Sequence, residues 1–510
     1  MTEYALEVFQ NEYLSQGATT IDAIVTVTAG GWTPSGSGRA AEILILDTSG
    51  SMETPPGRIR AARQAACEAI DAIRDGVLFA VLSGTERATT IFPVWGAGLV
   101  EADASSRATA REAVRRMQVG GGTAMSTWLQ AAHDLFTSSP ADIRHAILLT
   151  DGENREDRWR LDEALGKCAG VFQADCRGIG TDWVVDELRG IASALQGSVD
   201  IIPEPELLPA EFRRLMERSM GRGVAASALR VWCPLNAQVN FMRQVSPNIE
   251  DLTGHETHVD QRTRQYPLGA WGAEARDYHL SISVPAHEVG VEMLAARVSL
   301  VMDDEIVGPG LVRAVWTEDE IASARVNREV AHYTGQAALA EDIQLGLAAL
   351  KEGDERTATF RLGRATMMAV ESGHEGTVQL LRKVVDVEDA REGTVRIRPR
   401  VAKSDEMALD TRSTRTVRVL RPGGGAGGPA PASAPPAAAA PAAAPPAAAP
   451  PAPAPPAPAA APGYPPPPPP GPDDMALDTR STRTVRVGGG RPPGAPAPGT
   501  PGAPGGGAGS

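Results

Sequence analysis

Hydrophobic positions in the first 30 residues follow the pattern of strands. Tyr4-Ala-Leu-Glu-Val-Phe9 is followed by the β-branched run Ile21-Asp-Ala-Ile-Val-Thr-Val-Thr28, which ends at Gly30-Gly31. Between 41 and 203 the pattern changes to strands alternating with helices. Ile43-Leu-Ile-Leu46 is a short continuous apolar run, as a strand buried on both faces requires. A helical stripe of Ile59, Ala62, Ala66, Ile70 and Ile73 comes next and stops at Asp75-Gly76. Val77-Leu-Phe-Ala-Val-Leu82 is a second strand. Thr89-Thr-Ile-Phe-Pro-Val-Trp95 is a third, and its proline marks it as an edge. The same reasoning predicts helices at 105–117, 125–137, 157–169 and 184–196, and strands at 145–150, 171–179 and 199–202. Alternation of this kind predicts an α/β fold: a doubly wound, mostly parallel sheet with helices on both faces.

Strand patterns return at 224–316, in Ala228-Leu-Arg-Val-Trp232, Tyr278-His-Leu-Ser-Ile-Ser-Val284 and Ala296-Arg-Val-Ser-Leu-Val301. Helical spacing follows to about 384. The N-terminal strands have no β/α partner of their own, so 1–40 is expected to pair with 224–316. The α/β domain at 41–203 would then be inserted in a β-sandwich-like region. The remaining map is a linker helix at 204–223, a helical domain at 317–385, a linker at 386–420 and a disordered tail at 421–510.

Composition separates the tail from the rest. Of 42 prolines, 28 fall in 421–510, and Pro/Ala/Gly sequence of that kind cannot bury a core. The first 420 residues carry 44 Lys and Arg against 60 Asp and Glu, a surplus of −16. That sign argues against nucleic-acid binding and against a basic membrane-surface protein. No apolar run approaches the ~18 residues of a spanning helix, and the N-terminus shows no signal-peptide pattern. Four cysteines (Cys67, Cys168, Cys176, Cys233) are too few for a disulfide framework. A cytoplasmic protein is expected.

Candidate chemistry gathers at the predicted strand ends. The first buried strand runs into Asp47-Thr48-Ser49-Gly50-Ser51, a D-x-S-x-S loop. Gly120-Gly-Gly-Thr123 opens a helix, and the strand at 145–150 ends in Asp151-Gly152. All three lie on the rim where open α/β sheets place ligands. Together they offer three hydroxyls and two carboxylates, with neither thiolate nor imidazole. Hard oxygen donors of this kind suit Mg²⁺ or Mn²⁺. With hydroxyls in direct contact and the carboxylates acting mainly through water, an ion would keep much of its charge and accept a carboxylate from another molecule.

D-x-S-x-S after an apolar strand, a Gly-Thr loop and a T-D-G strand end resemble the metal-ion-dependent adhesion site of bacterial von Willebrand factor type A (VWA) domains. The resemblance spans roughly 41–203 and includes Gly178-Ile-Gly-Thr-Asp-Trp183. It implies that Asp47, Ser49, Ser51, Thr123 and Asp151 hold the ion, which bridges to an Asp or Glu of a protein partner. The expected function is therefore a non-enzymatic, Mg²⁺-dependent scaffold. An adaptor for an ATPase or chelatase-like machine would use the same site. A metal-dependent hydrolase is disfavoured because no histidine lies near the motif residues in sequence and no D-x-D is present. The P-loop lysine is absent after the Gly-rich loop. His255-Glu-Thr-His258 lacks the i, i+4 spacing of a metal-binding pair and reads as a solvated loop.

The tail adds a repeat. Asp405-Glu-Met-Ala-Leu-Asp-Thr-Arg-Ser-Thr-Arg-Thr-Val-Arg-Val419 recurs at 473–487 with one difference, Glu406 becoming Asp474. Repeated short motifs on a tether suit a multivalent ligand. Thr411, Thr414 and Thr416, with Thr479, Thr482 and Thr484, are candidate substrates of a Ser/Thr kinase. Once phosphorylated they would dock on a forkhead-associated-type domain. The alternative for the first copy is a strand added to a sheet edge.

Overall fold

The computed structural model describes residues 3–30, 39–54, 57–94, 98–223, 227–270, 272–302 and 305–419. The second motif copy at 473–487 lies outside the described residues.

The α/β domain is built on a sheet with strand order Val199–Ile202, Gln173–Ile179, Ile143–Thr150, Ala40–Asp47, Leu78–Gly84, Ala88–Phe92. The first five are parallel, and Ala88–Phe92 closes one edge antiparallel. Side chains of the central strand alternate between two helical layers. Ile43 and Ile45 pack with Trp128, Leu129 and Leu188 on one face, and Leu44 and Leu46 pack with Ala62, Ile70 and Phe212 on the other. All four strand residues are fully buried, each contributing roughly 1.5–3 kcal/mol by leaving water. Trp183 covers Gly178 so closely that a Cβ there would lie 2.0 Å from the indole.

Two antiparallel-rich sheets form the sandwich. One has the order Glu3–Gln10, Thr20–Gly30, Ala275–Ser283, Gln238–Ser246, Glu250–Asp251. The other contains Thr257–Asp260, Thr263–Pro267, Ser227–Trp232, Glu292–Met302, Glu305–Thr317 and Tyr13–Ser15. Thr20–Gly30 pairs with Ala275–Ser283, Val25 opposite Tyr278. Residues 40–223 are thus an insertion between two parts of one sandwich, whose core includes Val25, Leu229, Tyr278, Leu300 and Trp316.

Two segments differ from the expectation of linkers. The helix Leu208–Met220 packs along Arg58–Ala72, and Phe212, Leu215 and Met216 are buried in that layer of the α/β core. Residues 386–420 are also folded. After the helices Arg328–Glu352, Glu355–Glu371 and Glu375–Val384 comes the hairpin Val385–Asp389/Thr394–Ile397, then the helix Lys403–Arg412. Leu409 is buried with Leu347, Leu362 and Leu381. A short, charged segment of this kind carries little local apolar signal, and long-range contacts hold it. Cys168, Cys176 and Cys233 are buried, Cys67 is half-buried, and all four are free thiols. Among the described residues no helix is long and apolar enough to cross a membrane.

Candidate metal centre

The rim site follows from parallel pairing. Ala40–Asp47 and Ile143–Thr150 are neighbours with Leu46 opposite Leu149, so Asp47 and Asp151 emerge side by side at the same sheet end. The Gly-rich loop is laced to the first motif by backbone hydrogen bonds. Gly120 N–H donates to Thr48 O (2.9 Å), and Gly50 N–H donates to Gly121 O (3.0 Å). Glu86 accepts from Gly122 N–H (2.5 Å), and Thr123 O accepts from Arg155 N–H (2.9 Å).

The structure brings all five predicted residues together. Asp47 Oδ1 accepts from Ser49 N–H (2.8 Å) and Oδ2 from the Thr150 hydroxyl (2.6 Å). Ser49 Oγ and Ser51 Oγ are 2.9 Å apart, and Ser51 donates to Asp151 Oδ1 (2.6 Å). Thr123 joins through Gly152: a Cβ on that glycine would stand 3.3 Å from Ser51 Oγ and 3.7 Å from Thr123 Oγ1. Glycine keeps this cradle of oxygens open. Asp47, Ser49, Thr123 and Asp151 are buried and Ser51 is half-buried.

Burial pushes the Asp47 carboxyl above the usual aspartate range, against the hydrogen bonds from Ser49 and Thr150. Asp151 is raised for the same reason, against those from Ser51 and Arg58. Two carboxylates taken out of water in one place call for a cation. Arg58 supplies part of that charge: its guanidinium donates to Asp151 Oδ2 (3.0 Å) and to Asp182 (2.8 Å). Sequence reasoning missed Arg58, Thr150 and Asp182. Thr150 stood inside the quoted strand end, but the Arg58–Asp151 pair crosses 93 positions of chain and leaves no local signature.

Among the described residues no imidazole bonds to Ser49 or Ser51, whose hydroxyls meet each other and Asp151. His145 is fully buried lower in the sheet between Glu42 (2.5 Å) and Asp175 (3.0 Å). Among the same residues no group of three or more His, Cys, Asp or Glu could hold an ion. His258 is exposed and pairs with Glu256. A centre rich in hydroxyls, with two carboxylates beside them, therefore fits a hard divalent ion.

The comparisons agree with this architecture. The profile described as the von Willebrand factor type A domain matches residues 41–201, and that of the von Willebrand factor type A C-terminal domain matches 367–413. A solved structure described as von Willebrand factor type A from Catenulispora acidiphila is 48% identical. The alignment covers 82% of this chain and 97% of that one, with a TM-score of 0.78. This chain belongs to the von Willebrand factor type A family. A second structure, the ArnB paralog VWA2 from Sulfolobus acidocaldarius, is 15% identical over 81% of this chain and 98% of its own. Its TM-score of 0.55 shows a shared fold. A search of curated proteins returned no match. VWA domains are protein-interaction and adhesion-type modules, generally without catalysis, and the match at 367–413 places the helix of the first motif copy within a folded VWA C-terminal unit.

The candidate threonines of that copy are not displayed as a free peptide. Thr411 is buried and its hydroxyl donates to Met407 O (2.9 Å). Thr416 donates to Val245 O (2.7 Å). Thr414 is half-buried and its carbonyl accepts from Ile249 N–H (2.8 Å). Thr479, Thr482 and Thr484 lie outside the described residues.

Proposed function

We propose that the VWA domain is a Mg²⁺- or Mn²⁺-dependent docking module for a protein partner that presents an Asp or Glu side chain, acting in the cytoplasm. The observation that carries this reading is the convergence of Asp47, Ser49, Ser51, Thr123 and Asp151 on one rim. Ser49, Ser51 and Thr123 would hold the ion through neutral hydroxyl oxygens. Asp47, both of whose oxygens already accept hydrogen bonds, orients that set, and Asp151 supplies charge shared with Arg58. The ion, when bound, supplies a positive centre for the partner's carboxylate. Hydrolysis is disfavoured because, among the described residues, no imidazole reaches the two serines and the carboxylate that Ser51 meets is shared with Arg58. Thr414, Thr479, Thr482 and Thr484 stay as phosphorylation candidates, since the hydroxyls of Thr411 and Thr416 are engaged.

The test is affinity capture from a cell lysate with the full chain as bait, in Mg²⁺ and in EDTA, beside the Asp47→Ala variant. The expected result is a partner retained by the parent in Mg²⁺ only and never by the variant. Equal capture in all arms would remove the metal from the interaction. A general esterase and phosphatase screen should be blank; turnover abolished by Ser49→Ala would point to the hydrolase.

A further inference from the structure

The first motif copy sits in a seam between all three parts of the molecule. Its helix places Asp410 against Arg189 of the α/β domain (2.5 Å) and Lys351 of the helical segment (3.6 Å). Arg412 and Arg415 close on Asp200 at 3.0 and 2.5 Å. Beyond the helix, Thr416 N–H donates to Pro247 O (3.0 Å) and Val417 exchanges hydrogen bonds with Gln336 (2.9 and 2.8 Å). Arg418 reaches Asp277 of the sandwich at 3.0 Å. The acceptors Asp200 and Asp277 are 8% and 0% exposed, so the seam is a built receptor in which a missing peptide would strand buried charge.

Residues 473–487 carry every side chain that makes these contacts. Leu409, Asp410, Arg412, Arg415, Thr416 and Arg418 recur as Leu477, Asp478, Arg480, Arg483, Thr484 and Arg486. The single difference, Glu406 to Asp474, keeps the charge at a half-buried position. Pro472 stands where Ser404 does, in the first helical turn, which tolerates proline. We propose that residues 473–487 are a second ligand for this receptor and exchange with 405–419 within one molecule.

Reach does not limit the exchange. The 53-residue spacer 420–472 spans up to about 160 Å when extended, against a radius of gyration of about 22 Å for a 420-residue fold. Tethering decides the occupant. Seven residues, 398–404, separate the first copy from the folded hairpin, and 75 residues, 398–472, separate the second. Local concentration falling as the −3/2 power of tether length favours the first copy about 35-fold. The first copy therefore holds the seam, as the structure shows. The second takes over once the first is weakened by more than that factor or drawn away by a partner. Either tether gives a local concentration in the millimolar range, which outcompetes docking from another molecule at micromolar protein.

The test uses the full chain and hydrogen–deuterium exchange. One variant combines Leu409→Ala, Arg412→Ala and Arg415→Ala; a second combines Leu477→Ala, Arg480→Ala and Arg483→Ala; a third carries all six. In the first variant, exchange in 473–487 is expected to slow by about tenfold or more, with a small change in Tm. The second should behave as the parent. The six-fold variant should melt well below the first. A first variant that melts with the six-fold variant and leaves 473–487 unprotected overturns the proposal. If the six-fold variant does not fold, the pair Arg415→Ala and Arg483→Ala gives the same comparison. A fluorescein-labelled 473–487 peptide should bind the first-copy variant carrying the second-copy changes, and Asp200→Asn should abolish that binding; no binding also overturns it. A dimer that grows with concentration in the first variant would place the exchange between molecules and refute the intramolecular form. Capture of the phosphorylated tail by a forkhead-associated domain, with 473–487 never protected in any variant, would assign the repeat to an external partner instead.

Discussion

Asp47→Asn removes one negative charge from the rim while leaving volume almost unchanged. The side chain keeps an oxygen for Ser49 N–H, now 2.8 Å from Asp47 Oδ1. Its new amide N–H faces Thr150 Oγ1, which can accept because its own proton can turn to Gly152 O, 3.2 Å away. The loss is the charge-assisted part of two hydrogen bonds, about 1 kcal/mol, and it is offset by no longer burying a carboxylate. The Tm without metal should therefore move by no more than about 4 °C. Metal-linked stabilisation behaves differently. An ion at one hundred times its Kd stabilises the native state by about 2.7 kcal/mol, or roughly 5–10 °C in a domain of 150–250 residues. Scanning calorimetry in EDTA and in saturating Mg²⁺ should show that rise in the parent and none in the variant. Because burial raises both rim carboxyls, protons compete with the ion, and the metal-induced rise should shrink as pH falls through that raised range. A variant that folds and keeps the full rise would refute the assignment of Asp47.

Three further outcomes follow from other parts of the fold. His145 is opposed by burial, but Glu42 and Asp175 hold its pKa above 6.5; its stabilising contribution is complete below that value and is lost as pH rises through the folded pKa. Urea midpoints should fall as pH rises above 6.5 in the parent but not in His145→Gln, and equal pH profiles would show the network to be neutral. Gly178→Ala puts a Cβ 2.0 Å from the Trp183 indole and should cost about 1–3 kcal/mol by overpacking; an unchanged urea midpoint would mean that the helix shifts freely. Limited trypsin digestion should cut after Arg480, Arg483 or Arg486 before Arg412 or Arg415, which are ion-paired to Asp200; first cleavage at Arg412 would contradict the docked helix.

Local pattern was enough for much of this protein. A four-residue apolar run, Ile43 to Leu46, implies a strand buried on both faces, and parallel strands force connections over the sheet. Once the sheet is parallel, residues that follow strand ends meet on one rim. Asp47, Ser49, Ser51, Thr123 and Asp151 were legible for that reason, although 104 positions separate the first from the last. The return of Thr20–Gly30 to Ala275–Ser283 was legible as well, because strands without neighbours must find them elsewhere. Tertiary structure alone decided the charge partners: Arg58 with Asp151, His145 between Glu42 and Asp175, and Asp200 with Arg412 and Arg415. Coulomb attraction needs proximity and has no periodicity, so these pairs leave no mark on the sequence. For the same reason 405–419 reads as a polar tether. Its helix has Met407, Ala408 and Leu409 to bury, too little to announce a packed element, and its place depends on buried carboxylates contributed by strands 141 to 212 residues away.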